Sequence, residues 1–222
     1  RTEVPILDQD GRGSCVGQGA ATAMMLARSI ADLAHQPLSA PYIYALINGG
    51  QDNGAIPGDA ARLIMQRGVC LLPEFPESKY LASQIPASAH ETALRFRALE
   101  VYRCMNFDEA VSAFLVGFSL FDTVCCGPQF NNLSAEGVPP VTRGPGNHCV
   151  SWGDELRRSV AGKWISQRRN SWGYNWGVDG CYYQAEEHCT QQGQYYECWA
   201  IKDVADDPEG PHTIPVAPPS QV

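Results

Sequence analysis

The sequence predicts an α+β chain of two lobes, a helical lobe first and an antiparallel β-rich lobe after it, with a cleft between them. Three observations lead there. The first half holds apolar stretches of helical length that are poor in Pro. The second half holds short aromatic and β-branched runs punctuated by Gly and Pro. No run of eighteen apolar residues interrupts this order, so no membrane partner is expected and the 222 residues are free to build one large core or two modest ones.

The first helix is predicted over 15–35, where Ala20, Ala21, Ala23, Met24, Met25, Leu26 and Ala27 make an alanine-rich apolar stretch suited to a buried helix, with Ser14 in the N-cap position. A second helix is expected over 39–47. A third runs over 57–67, with Pro57 suited to its first turn and Gly68 as its stop. Two more are predicted over 88–97 and 107–115. Strands are predicted over 99–104, 118–124, 148–152, 163–167, 180–184 and 195–201. The helical lobe therefore covers about 10–98 and the β-rich lobe about 99–201, together one domain over 1–203. From 204 to 222 the residues are acidic and then proline-rich, which predicts an extended tail or linker.

The formal net charge is −8, with 24 acidic against 16 basic residues, which excludes a phosphate backbone as the general partner. A local basic set, Arg157, Arg158, Lys163, Arg168 and Arg169, reads as a solvated surface loop. The chain opens at Arg1 without a methionine, a basic segment or an apolar segment, so a targeting or pro-segment is expected to be absent or already removed. The residues assign no compartment. Nine cysteines is an odd count, and a single free, reactive thiol explains it economically. The other eight are either disulfides or small buried apolar groups. Cys181, His188, Cys189 and Cys198 could be read as a metal site, but they lack Cys-x-x-Cys spacing, so a disulfide such as Cys189 with Cys198, or unpaired thiols, is the preferred reading. No cofactor is called for.

Three motifs carry chemistry. In Gln9-Asp10-Gly11-Arg12-Gly13-Ser14-Cys15 a cysteine opens the apolar helix, where unpaired N–H groups and the positive end of the helix dipole favour thiolate. Gly11 and Gly13 let the backbone turn so that the Gln9 amide and the Cys15 N–H converge as an oxyanion hole. In Gly144-Pro145-Gly146-Asn147-His148-Cys149-Val150 a histidine leaves a glycine-rich turn and enters a strand. In Arg169-Asn170-Ser171-Trp172-Gly173-Tyr174-Asn175-Trp176-Gly177 an asparagine can accept the second imidazole N–H, and an indole can shield that bond from water.

In this order and spacing the motifs resemble the papain-like cysteine peptidases: His148 lies 133 residues after Cys15 and Asn170 lies 155 after it. Asn53-Gly54-Ala55-Ile56-Pro57 is similar to that family's Asn-Gly-Gly stretch, and the resemblance extends over about 4–201. It implies the papain-like two-lobe fold and the hydrolysis of peptide bonds through a thioester. Residue by residue, it implies Cys15 as nucleophile, His148 as acid and base, Asn170 as orienting residue and Gln9 as oxyanion donor. Substrate would lie along Asn53, Gly54, Ala55, Pro57, Asn147 and Trp172, and the partners would be a peptide or protein substrate and a possible pro-segment or larger parent chain. The sequence departs from the family at Arg12, where a half-cystine is usual, and at Val16, Gly17 and Gln18, where aromatic and small residues are usual. Asn48-Gly49-Gly50 is a second candidate for the groove. A retired scaffold used for binding and an acyl-transferring or peptidoglycan-cleaving enzyme both remain open readings.

Overall fold

A computed structural model describes residues 4–191 and 194–205. The helical half contains α1 (Cys15–Ile30), α2 (Ala40–Ile47), α3 (Pro57–Gln66) and α4 (Ala87–Ala93). Then follow β1 (Ala98–Cys104), α5 (Phe107–Leu115), β2 (Ser119–Val124), β3 (His148–Arg158), β4 (Trp164–Arg169), β5 (Cys181–Ala185) and α6 (Glu186–Cys189). A small hairpin of β6 (Thr190–Gln191) and β7 (Gln194–Tyr195) precedes β8 (Cys198–Val204). Six strands form one sheet in the order β1-β8-β2-β3-β4-β5, and every neighbouring pair in it is antiparallel.

Helix α1 is the central element, and every residue from Cys15 to Arg28 on it is buried. It lies against β3, β2 and β8 on one side and α2 and α3 on the other. Such a helix needs small residues where its neighbours come closest, and that need accounts for Gly17. A Cβ on Gly17 would meet the Ala40 carbonyl of α2 at 2.6 Å, and a Cβ on Gly19 would meet the Cys149 sulfur of β3 at 3.1 Å. Even the Cβ of a small residue at position 17 has no room. Caps hold the shorter helices: Ser39 Oγ accepts from the Tyr42 N–H at 3.1 Å on α2, and Asn106 Oδ1 accepts from the Glu109 N–H at 2.8 Å on α5.

Some elements differ from the sequence reading. Helix α1 stops at Ile30 rather than at 35, because Ala31 closes it and Asp32 turns into the left-handed region at φ 57°. Strand β3 runs on to Arg158 through an irregularity between Trp152 and Leu156, which carries it past the point where its apolar residues end. Ser14 occupies the N-cap position with φ −89° and ψ 11°, and its hydroxyl, buried, makes no cap. Val204 closes β8, and the Ala205 N–H donates to the Arg97 carbonyl at 2.8 Å, so the ordered fold includes both residues. Residues 206–222, the rest of the expected tail, lie outside the described residues.

The basic set is not one solvated loop. Arg168 is fully buried, and its guanidinium meets Asp122 in a fork, Nη2 to Oδ2 at 2.9 Å and Nε to Oδ1 at 3.2 Å. The Trp152 indole N–H also donates to Asp122, at 3.0 Å, and the guanidinium carbon stands 3.9 Å from the Trp152 ring centroid. Arg157 pairs with Glu155 at 3.0 Å and Lys163 with Glu187 at 2.6 Å on the surface, while Arg169 donates to the Val4 carbonyl.

Candidate active site

Cys15 is the first residue of α1, and the turn before it is built by Asp10 at φ 48° and Gly11 at φ 74°. Glycine reaches that conformation without penalty and aspartate tolerates it, so the chain reverses here. The reversal is closed by the Arg12 N–H donating to the Gln9 carbonyl at 3.0 Å. Residues 7–9 are then laid along 171–173 of the other lobe. The Gln9 N–H donates to the Ser171 carbonyl at 2.9 Å, the Gly173 N–H to the Leu7 carbonyl at 3.1 Å, and Asp8 and Trp172 form an antiparallel bridge.

His148 opens β3 and Asn170 follows the last residue of β4, the next strand in the sheet. His148 Nε2 and Asn170 Oδ1 are 2.7 Å apart. The same Oδ1 accepts the Ser171 N–H at 2.8 Å, which fixes it as an acceptor, so Nε2 carries the ring proton. Nδ1 has no hydrogen-bond partner among the described residues. The Trp172 ring lies 4.8 Å from the imidazole, centroid to centroid, at 31°. It is backed by Phe130 at 5.9 Å and Trp176 at 5.0 Å. This cover leaves His148 6% exposed and Asn170 3% exposed.

Helix α1, which carries Cys15, packs against β3, which carries His148. The backbone amide of Cys149, the residue after His148, acts to lower the Cys15 thiol pKa, as do the amides of Val16 and of Cys15 itself. These amides favour thiolate, but burial acts more strongly and raises the thiol above its ordinary range. Burial likewise lowers the His148 imidazole to about 4, with the Asn170 hydrogen bond opposing it more weakly. The first-turn amides thus act toward thiolate, as the sequence predicts, and burial opposes them.

The Gln9 side-chain amide is held at both ends. Its Oε1 accepts from Ser171 Oγ at 2.7 Å and its Nε2 donates to the Arg12 carbonyl, which commits one of two N–H bonds. Ser171 thus touches both amides of the site, Asn170 through its N–H and Gln9 through its hydroxyl, although the sequence reading gave it no role. Asn53 to Pro57 runs beside the nucleophile's loop. The Gly13 N–H donates to Asp52 Oδ1 at 2.9 Å, the Tyr44 hydroxyl donates to the same oxygen at 2.7 Å, and the Gly54 N–H donates to the Tyr44 hydroxyl at 3.3 Å. Ala55 is not among the residues of positive φ, and Pro57 opens α3. Asn48-Gly49-Gly50 instead closes α2, with the Asn48 amide donating to the Tyr80 carbonyl at 2.8 Å.

The Asn147 side chain does not face the cleft freely. It clamps the Cys126 backbone, accepting its N–H at 2.8 Å and donating to its carbonyl at 2.9 Å. Gln18 is buried behind the nucleophile, and its Nε2 donates to Glu77 Oε2 at 3.2 Å while its Oε1 has no partner. Burial raises the Glu77 carboxyl, a residue that no local motif marked. Among the described residues no group of three or more His, Cys, Asp and Glu side chains converges as a metal site requires. Cys189 turns toward Asp122 and Ala185, whereas Cys198 stands opposite Cys104.

Neither a protein-family model nor a curated protein matches the chain. Solved structures do. Xylellain, a cysteine protease from Xylella fastidiosa, superposes with a TM-score of 0.72 at 23% identity, over 90% of this chain and 83% of that one. The bromelain protease from Ananas comosus, in complex with the E64 inhibitor, gives a TM-score of 0.62 at 19% identity, over 88% of this chain and 91% of that one. The ragweed pollen cysteine protease Amb a 11, in its proform, gives a TM-score of 0.68 at 16% identity, over 90% of this chain and 62% of that one. The two-lobe α+β fold of this chain is the papain-like fold.

Proposed function

We propose that the chain is a cysteine endopeptidase, one peptidase domain that reaches Ala205, and that it cleaves peptide bonds with Cys15, His148, Asn170 and Gln9. The observation that carries the reading is an imidazole fixed by Asn170 as the Nε2–H tautomer, with Nδ1 uncommitted, on the strand that packs against the helix bearing Cys15. His148 Nδ1 takes the thiol proton as the sulfur attacks the scissile carbonyl. The remaining Gln9 Nε2–H and the Cys15 N–H hold the oxyanion. The imidazolium then protonates the leaving amine, and water activated by neutral His148 releases the acyl group from sulfur.

Substrate lies along Asn53, Gly54, Ala55 and Pro57, beside Trp172. Asn147 contributes through its backbone, since its side chain is bound to Cys126. A pro-segment or larger parent chain fits this reading, in keeping with the proform in which the ragweed protease was solved.

Digestion of a peptide library by the wild type beside Cys15→Ala tests the activity: cleavage is expected with the first and none with the second. The retired scaffold draws support from the burial of both reacting groups. A thiol-directed epoxide that leaves Cys15 unlabelled at mildly acidic pH, together with an undigested library, would establish the scaffold instead.

A further inference from the structure

Cys104 ends β1 and Cys198 opens β8, and the antiparallel register sets the two directly opposite each other. Opposed residues on antiparallel strands share one face of the sheet, with Cα atoms about 4.5–5.5 Å apart. That separation falls inside the range of about 4.4–6.8 Å that a disulfide requires. Both side chains enter the same apolar cluster, with Phe107, Leu120 and Trp152, and both thiols are free. Cys189 belongs to this cluster too, but its sulfur lies 3.8 Å from the Ala185 carbonyl oxygen and 3.9 Å from Asp122 Oδ2, directed into the Arg168 network.

We infer that Cys104 and Cys198 are a disulfide-forming pair, a covalent modification site separate from the nucleophile that staples the edge strand β1 to β8. The oxidant is a small-molecule disulfide. Cys104, 5% exposed against 0% for Cys198, is the thiol that a reagent meets first. Its thiolate attacks one sulfur of the reagent and expels the other as a thiolate, leaving a mixed disulfide on Cys104. The Cys198 thiolate then attacks the Cys104 sulfur and expels the second reagent thiolate. Two protein thiols have lost two electrons and two protons, and one reagent disulfide has become two thiols. The neighbouring Cys198 lowers the Cys104 thiol while burial raises that of Cys198, which favours Cys104 as the attacking group and Cys198 as the resolving one.

The staple closes a loop of roughly ninety residues, so in the chain-entropy account it raises Tm by about 10 °C for a chain of this size. The full chain is equilibrated, folded, in oxidised or in reduced glutathione, alkylated, digested without reduction and mapped by mass spectrometry, and its melting is followed in both buffers. A Cys104–Cys198 linked peptide is expected only in the oxidised sample, with a higher Tm that Cys104→Ala loses. A linked Cys189–Cys198 peptide, no link at all, or a mixed disulfide on Cys104 that Cys198 never resolves would each overturn the assignment. A Tm gain that persists in Cys104→Ala would do the same. None of these readouts depends on peptidase activity.

Discussion

Burial of His148 has a measurable consequence for acid stability. The imidazole has an ordinary pKa of about 6.5 and stands at about 4 in the fold, where it is 6% exposed. Between those values the unfolded chain binds a proton at this residue and the folded chain does not, so stability falls as pH drops through the window. By pH 4 the loss reaches about 3 kcal/mol relative to pH 7, since each pKa unit is worth about 1.36 kcal/mol. The perturbation is best made with Cys15→Ala, which removes the proposed nucleophile, against Cys15→Ala with His148→Gln, which removes the titrating group as well. Urea unfolding of both at pH 7 and pH 4 cancels the carboxylates they share. The histidine-bearing protein is expected to lose about 1 M more in its midpoint, for a slope of about 2–3 kcal/mol per M. NMR titration of the ring should place its midpoint near 4. Equal midpoint losses in the two proteins, or a ring that titrates near 6.5, would refute the reasoning.

The other predictions concern polar groups fixed by partners far away in the chain. Asn170→Ala removes the acceptor that fixes the ring tautomer, and kcat should fall about ten- to hundredfold for a hydrogen bond worth about 1.5–3 kcal/mol, while Gln9→Ala should cost about 10²- to 10³-fold in kcat; steady-state kinetics on a cleaved library peptide measures both. Asp122→Ala leaves the Arg168 charge buried without its partner and should destabilise the fold by about 3–5 kcal/mol in urea unfolding, whereas Asp122→Leu with Arg168→Met should recover most of the loss. Glu77 has a raised pKa, so its protonated form is the one the fold favours, and stability should decline as pH rises through that folded value. Glu77→Gln should flatten this decline in a pH series of melting curves.

Much of the fold was legible because its signals are local. The start of α1 at Cys15, the whole of α5 and the order of helices before strands follow from apolar periodicity and from Pro and Gly punctuation. The end of α1 was not, because no proline or glycine marks it and the stop is a left-handed Asp32. The buried fate of Arg168 was illegible for a different reason. Its partner Asp122 lies 46 residues away on another strand, so the run of basic residues around it looked like surface. The site divides along the same line. Cys15, His148, Asn170 and Trp172 announce themselves in short motifs, whereas Ser171 acquires its contact to Gln9 only when residues 7–9 fold against 171–173. Glu77 likewise acquires Gln18 only through tertiary packing, and Gly17 looked like an anomaly until α2 was placed against it.

The protonation state of the candidate pair follows from the same tertiary packing. A helix N-terminus stabilises an adjacent anion by about 0.3–1 kcal/mol, rising to about 2 in partly buried geometries, whereas removing an ion from water costs several kcal/mol. With Cys15 9% exposed and the imidazole beneath Trp172, neither group gains enough by ionising alone. In the proposed mechanism a thiolate forms as its proton moves to Nδ1, the imidazolium neutralising the sulfur while Asn170 Oδ1 accepts the Nε2–H of the new cation. The two charges therefore arise as one event. In the proposed mechanism, separating the lobes disables the chemistry even with every side chain present, since the sulfur belongs to α1 and the proposed proton acceptor to β3.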